Sequence, residues 1–361
     1  MKEIVSLAPG RTCLFGDHQD YLGLPVIACA IDKSIRLVAV ENNSEFFNIS
    51  KPDINEKRML QIDVVTENTN IIGDHFLAVL KVLQKYDCIP NKGFDITITG
   101  TIPINAGLSS SSAVVVAWTQ FLLEAFGCNQ KITQEFIAQI AYEAEVVEQK
   151  SSGGKMDQYS ISLGNIIYLE TDESSAYETI PKKLPGLIIG ESGIPKDTLG
   201  TLKELKENAI LSIEKVKEFD AYFDIRNVQK SNLETYENYL ATTLQPYFRA
   251  AVLNYLITRK ALVEFQKEVL NYKTIGDLMY QHHEILRDLL HITVPRIDNM
   301  VDAAMNAGAL GTKIVGSGKG GSIVAIAPEG KEQQIIDSIK QAGAVDAYLV
   351  SIDIGARIAY N

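Results

Sequence analysis

The sequence has few cysteines, and no two of them lie close together. Only four occur among its 361 residues, and none forms a Cys-x-x-Cys pair. This scatter argues against a disulfide framework and against a cysteine-based zinc site. The usage favours a reducing compartment and predicts a cytoplasmic protein. The four residues are Cys13, Cys29, Cys88 and Cys128.

Positive charge and long hydrophobic runs are also scarce. The chain has 34 Lys and Arg against 45 Asp and Glu, a net charge of −11. This balance argues against an extended surface for nucleic acid or for an anionic membrane. No stretch offers about 18 uninterrupted apolar residues, and the first residues lack an apolar signal core. We therefore expect small-molecule partners, no nucleic acid, no membrane, and a monomer or weak homodimer.

The length and the pattern along the chain predict two domains. A typical domain has about 150 residues, so 361 residues suggest two cores with a cleft between them. Strand patterns dominate the first half, whereas long amphipathic helices follow Pro185. We place the boundary between Pro181 and Pro185, which gives domains of residues 1–183 and 184–361.

A serine-rich segment at residues 103–113, here called the serine turn, lies between a strand pattern and a helix pattern. The strand is predicted at residues 94–100 and the helix at residues 114–126. A glycine permits positive φ, and serines at a helix start can present hydroxyls and backbone amides to a phosphate. A plain helix cap is the alternative interpretation, and no Gly-Lys-Ser/Thr follows as in a Walker A loop. The candidate phosphate-binding residues are Gly107, Leu108, Ser109, Ser110, Ser111 and Ser112.

A second polar segment, residues 16–21, is here called the polar turn. It follows two short strands predicted at residues 4–8 and 12–16, separated by Pro9, Gly10 and Arg11. Asp17, His18 and Asp20 offer several hydrogen-bond acceptors and a donor, as recognition of a polyhydroxylated ligand requires. A solvated surface turn is the alternative.

A third segment, residues 151–159, contains two glycines and an acid. Gly153 and Gly154 permit close backbone approach, and Asp157 lies just before what reads as a renewed strand pattern. An acid held here is a candidate base for phosphoryl transfer, and Arg11 is a candidate cation beside the phosphates. The alternatives are that Asp157 caps the next element and that Arg11 pairs with any acid.

Other titratable residues fall on predicted helices. A helix at residues 134–149 carries Glu145 among several acids, and periodicity does not say which of them points toward the serine turn. His282, His283 and His291 lack a completing cysteine or acid. We interpret these histidines as residues on helix surfaces.

Taken together, the motifs resemble those of one family. Pro9-Gly10-Arg11, the polar turn, the serine turn, Gly154-Lys155-Met156-Asp157-Gln158 and a glycine turn at residues 316–321 occur in the order and at the spacing seen in the GHMP kinases. Among these kinases the chain is most similar to the galactokinases. The resemblance implies an α/β (α+β) fold, with an N-terminal ribosomal-protein-S5-like domain and a C-terminal ferredoxin-like domain with added helices.

The resemblance also assigns roles by motif position. It implies a catalytic aspartate, Asp157, paired with Arg11. It implies ATP on the serine turn, with Gly316 and Gly318 of the glycine turn closing over it. It implies Mg²⁺ associated with Ser111 and Glu145. The implied sugar-binding residues are Asp17, His18, Asp20 and Gly154.

Two departures bear on the substrate. The family usually has Glu where this chain has Asp17, and usually Asn where it has Leu22. The resemblance implies an ATP-dependent sugar kinase that phosphorylates the anomeric C1 hydroxyl. The alternatives are a kinase for another sugar or sugar phosphate, such as a heptose, and a sugar-responsive binding paralogue without turnover.

Overall fold

The computed structural model describes residues 3–63, 70–195 and 199–360. Its larger sheet has eight strands, with the order β12-β1-β2-β5-β3-β4 and with β6 and β7 extending from β2. The pairing of β3 with β5 is parallel, whereas the other pairs in this sheet are antiparallel. Its strands are β1 (Glu3–Phe15), β2 (Val26–Glu41), β3 (Phe46–Lys51), β4 (Glu56–Gln61), β5 (Phe94–Gly100), β6 (Ile166–Leu169), β7 (Tyr177–Ile180) and β12 (Arg357–Ala359).

The first strand differs from the prediction of two short strands. β1 runs for 13 residues through Pro9, Gly10 and Arg11 without a break. The ladder with β2 shifts its register between Pro9 and Gly10, and such an irregularity is where a strand tolerates a proline. Arg11 is therefore held on a rigid strand that ends at the polar turn.

The helices pack on the sheets and between them. Three short 3₁₀ turns lie at Asp20–Leu22, Pro52–Ile54 and Ile225–Asn227, and a π-helical segment, Glu143–Val147, follows α3. The helix predicted at residues 134–149 is thus α-helical only in its first part. The α-helices are α1 (His75–Gln84), α2 (Ser110–Phe126), α3 (Gln134–Tyr142), α4 (Met156–Leu163), α5 (Leu199–Phe219), α6 (Leu233–Glu237), α7 (Gln245–Phe265), α8 (Tyr272–Asp288), α9 (Pro295–Asn306) and α10 (Glu332–Gln341).

A smaller antiparallel sheet has the strand order β11-β8-β10-β9. The chain changes from the larger to the smaller sheet between Ile180 and Leu187, and it returns at the end, where β12 pairs with β1. The strands of this sheet are β8 (Leu187–Glu191), β9 (Gly311–Val315), β10 (Ser322–Ile326) and β11 (Asp346–Val350).

Buried apolar clusters hold these layers together. One contains Phe47, Phe94, Trp118 and Phe121, where α2 covers the larger sheet. Alternating apolar residues on β5 and the apolar face of α2 explain this core. Among the described residues, no helix is both long enough and apolar enough to cross a membrane.

Candidate active site

The serine turn joins β5 to α2, and its backbone explains its sequence. Gly107 has a φ of 82°, and a Cβ there would lie 2.7 Å from the carbonyl oxygen of Val315. Ser109 also has a positive φ, 61°, and α2 begins at the next residue. The Ser109 hydroxyl donates to Asp157 instead of capping α2, so this side chain does not occupy the first amides of the helix, which are the groups that bind a phosphate at a helix start.

Asp157 lies in the first turn of α4, not before a strand as its sequence context indicated. Its Oδ1 is 2.8 Å from Nε of Arg11, and its Oδ2 accepts a hydrogen bond from Oγ of Ser109 at 2.5 Å. Nη1 of Arg11 donates to the carbonyl oxygen of Gly107 at 2.6 Å. Arg11 thus links the candidate base to the serine turn, and the two residues predicted as a catalytic pair are in contact.

The electrostatics keep Arg11 charged. Burial alone would lower the pKa of Arg11, but the adjacent Asp157 carboxylate raises it above its ordinary value. A guanidinium held in this way fixes one carboxylate oxygen in place. Asp157 is therefore oriented by one charged donor and one hydroxyl.

Asp20 lies beside Asp157 at the start of the 3₁₀ turn. Its Oδ1 accepts a hydrogen bond from the Tyr21 amide at 3.0 Å. A Cβ on Gly154 would overlap the Asp20 carboxylate, so glycine is needed there for the two loops to approach. Burial, and then the negative charge of Asp157, raise the pKa of Asp20 to about 6. The structure therefore brings Asp20, Gly154 and Asp157 together.

His18 lies between these groups and the glycine turn. It is 7% exposed with a φ of 61°, and its Nδ1 is 3.4 Å from the Tyr21 hydroxyl. Its Nε2 has no hydrogen-bond partner within residues 3–63, 70–195 and 199–360. Burial lowers the pKa of His18, so the ring is neutral at pH 7. The Nε2 ring nitrogen is buried, and the backbone of Gly316 lies beside the imidazole.

Asp17, predicted as a sugar-binding residue, is held by two groups of the C-terminal half of the chain. Its Oδ2 lies 2.6 Å from Nζ of Lys313, and its Oδ1 accepts from the Gly316 amide at 3.2 Å. Asp17 is 2% exposed, and Lys313 is fully buried. Both carboxylate oxygens are engaged by protein groups, and the contact of Asp17 with a sugar stays a prediction. The sequence reading missed Lys313.

Glu145, predicted together with Ser111 to be associated with Mg²⁺, contacts Ser112 and Gln158. Its Oε1 accepts from the Ser112 hydroxyl at 2.9 Å, and its Oε2 accepts from the Gln158 amide at 2.7 Å. Burial raises the pKa of Glu145, although the bond from Gln158 opposes this effect. Ser111, by contrast, is exposed in the first turn of α2. A half-buried carboxylate held by neutral donors fits an Mg²⁺ site, since Mg²⁺ commonly takes one or two protein carboxylates and completes its shell with phosphate and water.

The glycine turn packs against the serine turn, as expected. Gly316 has a φ of 88°, and a Cβ there would lie 3.2 Å from Cα of Gly107. Gly318 does not face the serine turn in this way. A Cβ on Gly318 would lie 2.6 Å from the Cβ of Ile292. Packing against Ile292 thus explains the glycine at 318, and this side of Gly318 is not open to ATP.

A cavity of about 480 Å³ adjoins the serine turn on the side away from Asp20. Ser109, Ser110 and Ser111 form one wall, and apolar side chains of β2 and β5 form another. Two charged residues, Lys51 and Asp53, also line the cavity. These two residues gave no signal in the sequence, because they lie on an ordinary strand end and 3₁₀ turn. The remaining lining includes Ile35, Ile54, Ile98, Ile102, Ile104 and Val114.

The histidines of α8 are not on the surface, so that interpretation was wrong. His282 and His283 are both fully buried, because β9 and the end of β1 cover this helix. His283 accepts from the Ile314 amide at 3.3 Å, and His282 stacks on Phe15. Burial lowers the pKa of both to about 3. They are therefore neutral core residues.

Comparisons with known proteins agree with the motifs. A model described as the GHMP kinases N terminal domain matches residues 74–165, and one described as GHMP kinases C terminal matches residues 259–345. A model of the galactokinase galactose-binding signature matches residues 1–40.

Whole-length relatives extend the likeness. A galactokinase of Thermosipho africanus is 30% identical over 336 residues, which cover 91% of this chain and 90% of that protein. A mevalonate kinase of Thermococcus sibiricus is 28% identical over 360 residues, covering 95% of this chain and 94% of that protein.

Solved structures share the fold. That of Lactococcus lactis galactokinase complexed with galactose has a TM-score of 0.88 at 20% identity, covering 99% of this chain and 95% of that one. The predicted superfamily and its mixed α/β two-domain fold are thereby confirmed. The chain belongs to the GHMP kinases and is a phosphotransferase that acts on an alcohol group.

Proposed function

We propose that the protein is an ATP-dependent sugar kinase that transfers the γ-phosphoryl group to the anomeric C1 hydroxyl. The observation that carries this proposal is the position of Asp157. Its carboxylate is fixed by Arg11 and Ser109, with the serine turn on one side and Asp20 on the other. A phosphoryl donor and a hydroxyl-rich acceptor held at these two turns would meet at Asp157.

The donor side has the parts that ATP requires. The first amides of α2 and the serine hydroxyls suit its phosphate groups. The cavity of about 480 Å³ beyond the serine turn has isoleucine walls and two charged residues, which suit a purine base and its exocyclic groups. We assign the adenine to this cavity.

The acceptor side is polar. Asp20 supplies carboxylate oxygens, and His18 supplies an unpaired, buried ring nitrogen. The acceptor hydroxyl oxygen attacks the γ-phosphorus, the bond from this phosphorus to the bridging oxygen breaks, and ADP leaves. Asp157 orients the attacking hydroxyl and takes its proton.

The metal expected with ATP is Mg²⁺. Glu145 and Ser111 are the residues proposed to hold it, with Ser112 and Gln158 orienting the glutamate. A bound Mg²⁺ would neutralise charge on the phosphate oxygens. The protein itself contributes the carboxylate and keeps its rotamer fixed.

A panel of acceptors tests the proposal and its alternatives. Free sugars including galactose, sugar phosphates including heptose phosphates, and mevalonate would each be assayed for ADP formation with Mg²⁺ and ATP. The mevalonate kinase relative makes this last acceptor the informative competitor. Turnover of a free sugar, lost in Asp157→Asn, is the expected result. Preference for mevalonate would refute a sugar acceptor, and sugar binding without ADP formation would indicate a binding paralogue.

Acid should weaken the acceptor site, because Asp20 has a pKa of about 6. Protonation removes a hydrogen-bond acceptor from the polar turn, so kcat/KM for the sugar should fall as the pH is lowered through about 6. The free energy of unfolding should change with pH in the opposite direction to kcat/KM. The raised pKa favours protonated Asp20 in the fold, so this contribution is complete below pH about 4 and is lost as the pH rises through 6.

Two measurements check this dependence. Steady-state kinetics between pH 5 and 8 give the inflection in kcat/KM, and thermal unfolding over the same range gives the opposite trend. Asp20→Asn is the matched control, because it should remove this contribution to the pH dependence of unfolding. A flat profile of kcat/KM would contradict the assignment of Asp20.

Ser111→Ala should lower turnover with little change in stability. Ser111 is exposed, so its loss should change the free energy of unfolding by less than about 0.5 kcal/mol. Removing one contact to the phosphates or to Mg²⁺ should reduce kcat at saturating ATP. Ser112→Ala is the comparison, since it breaks the buried bond to Glu145 and should cost about 1 kcal/mol. Unchanged kcat in Ser111→Ala would count against its role.

A further inference from the structure

Lys313 is a fully buried lysine that joins the two halves of the chain. It lies in β9, and its Nζ is 2.6 Å from Oδ2 of Asp17 at the end of β1. The same Nζ donates to the carbonyl oxygen of Cys13 at 2.9 Å. A buried ammonium requires such partners, because desolvation without them is very costly. The ion pair is therefore a specific link between β9 and the polar turn.

Asp17 is held from the glycine turn as well. Its Oδ1 accepts from the Gly316 amide, three residues beyond Lys313. The Asp17 side chain is thus enclosed by β9 and by the residue that begins the glycine turn. Burial alone would raise the pKa of Asp17, but Lys313 lowers it to about 2. The carboxylate stays charged and engaged throughout the physiological range.

We propose that Lys313 is a positioning residue that locks the polar turn onto the glycine turn through Asp17, and that Asp17 makes no contact with the acceptor. The second half of this statement rests on the proposed sugar kinase activity. Recognition of the acceptor is then left to His18 and Asp20 within the polar turn. The enzyme should accordingly tolerate a sugar that is altered at the ring position nearest Asp17.

The pairing also has a consequence for catalysis. The glycine turn contacts the serine turn at Gly107, and the carbonyl of Gly107 binds Arg11, which holds Asp157. Loosening of the ion pair between Asp17 and Lys313 would therefore displace the polar turn relative to Asp157. Misplacement of this kind lowers kcat more than it raises KM for the acceptor.

The first test measures thermal unfolding and needs no substrate. Asp17→Asn, Lys313→Met and the double variant are compared with the wild-type protein; Asn keeps an acceptor for Gly316. We expect each single substitution to lower the unfolding midpoint. The decrease in the double variant should be much smaller than the sum of the two single decreases. Shifts that simply add would overturn the proposal. If a single variant does not fold, folding of the double variant is the expected rescue, and its failure to fold would also overturn the proposal.

The second test pairs substitutions with substrate analogues. kcat/KM is measured for the accepted sugar and for its monodeoxy analogues. The proteins compared are the wild type, Asp17→Asn and Asp20→Asn. If Asp17→Asn does not fold, the double variant with Lys313→Met takes its place. Asp17→Asn should reduce kcat/KM for every sugar by the same factor within about twofold, mainly through kcat. Asp20→Asn should have much less effect on one analogue than on the others, because that analogue lacks its partner hydroxyl.

The outcomes separate the two proposals. One deoxy analogue that is insensitive to Asp17→Asn would identify a direct contact and overturn the positioning role. If no sugar is phosphorylated, the proposed function fails, and the unfolding test still decides whether Lys313 and Asp17 act as a pair.

Discussion

Asp157→Asn should lower kcat by about two to four orders of magnitude while leaving the affinities for ATP and sugar little changed. The substitution keeps the shape of the side chain but removes its charge. An amide also presents only one acceptor, so it cannot serve Arg11 and Ser109 in the way that the carboxylate does. The attacking hydroxyl would lose both its proton acceptor and its orientation.

Single-turnover kinetics and calorimetric titration would separate chemistry from binding in this variant. Circular dichroism and thermal unfolding serve as the control for folding. Turnover retained within about tenfold of the wild-type value would mean that the base lies elsewhere. A large rise in KM with unchanged kcat would instead indicate that Asp157 binds the acceptor only.

Arg11→Met should impair both turnover and stability. Arg11 is buried, and its removal takes one charged donor from Asp157 and from the carbonyl of Gly107, while the Ser109 hydroxyl remains bonded to Asp157. Loss of hydrogen bonds between charged groups costs about 1.5–3 kcal/mol. The freed Asp157 side chain should be displaced from the line of attack, and a displacement near 1 Å lowers turnover about a hundredfold.

Arg11→Lys is the matched variant, because it keeps the charge without the fork of donors. It should retain part of the stability but little of the turnover, since one ammonium cannot reproduce both contacts with the same geometry. Denaturant unfolding gives the stability, and steady-state assays give kcat. If Arg11→Met kept kcat within about threefold of wild type, positioning of Asp157 by Arg11 would be refuted.

The sequence was informative about the site where a motif dictates its own backbone. Gly107 and Gly154 lie where another segment of the backbone or a side chain comes too close for a Cβ. The glycines in these motifs can therefore be recognised from the sequence. Arg11 and Asp157 were predicted as a pair from the resemblance, and they are in contact. Helix and strand periodicity was sufficient for most elements, including β5 and α2.

The failures concern burial and contacts between distant segments. The ion pair of Asp17 with Lys313 was not predicted, because local sequence does not show a contact between residues so far apart in the chain. His282 and His283 were placed on a surface because helix periodicity does not report that both sides of α8 are covered. Asp157 was placed before a strand, although an acid in the first turn also suits a helix start. Tertiary packing decided each of these cases.

The left-handed backbone of Ser109 lowers stability, whereas its hydroxyl serves catalysis. A residue other than glycine in this conformation costs about 1–2 kcal/mol, which Ser109→Gly would relieve, but loss of the hydrogen bond to the Asp157 carboxylate costs about 1.5–3 kcal/mol. The same change deletes the hydroxyl that steadies Asp157. A selection for heat resistance alone would therefore give glycine no clear advantage at this position, whereas a screen that scores turnover would keep the serine.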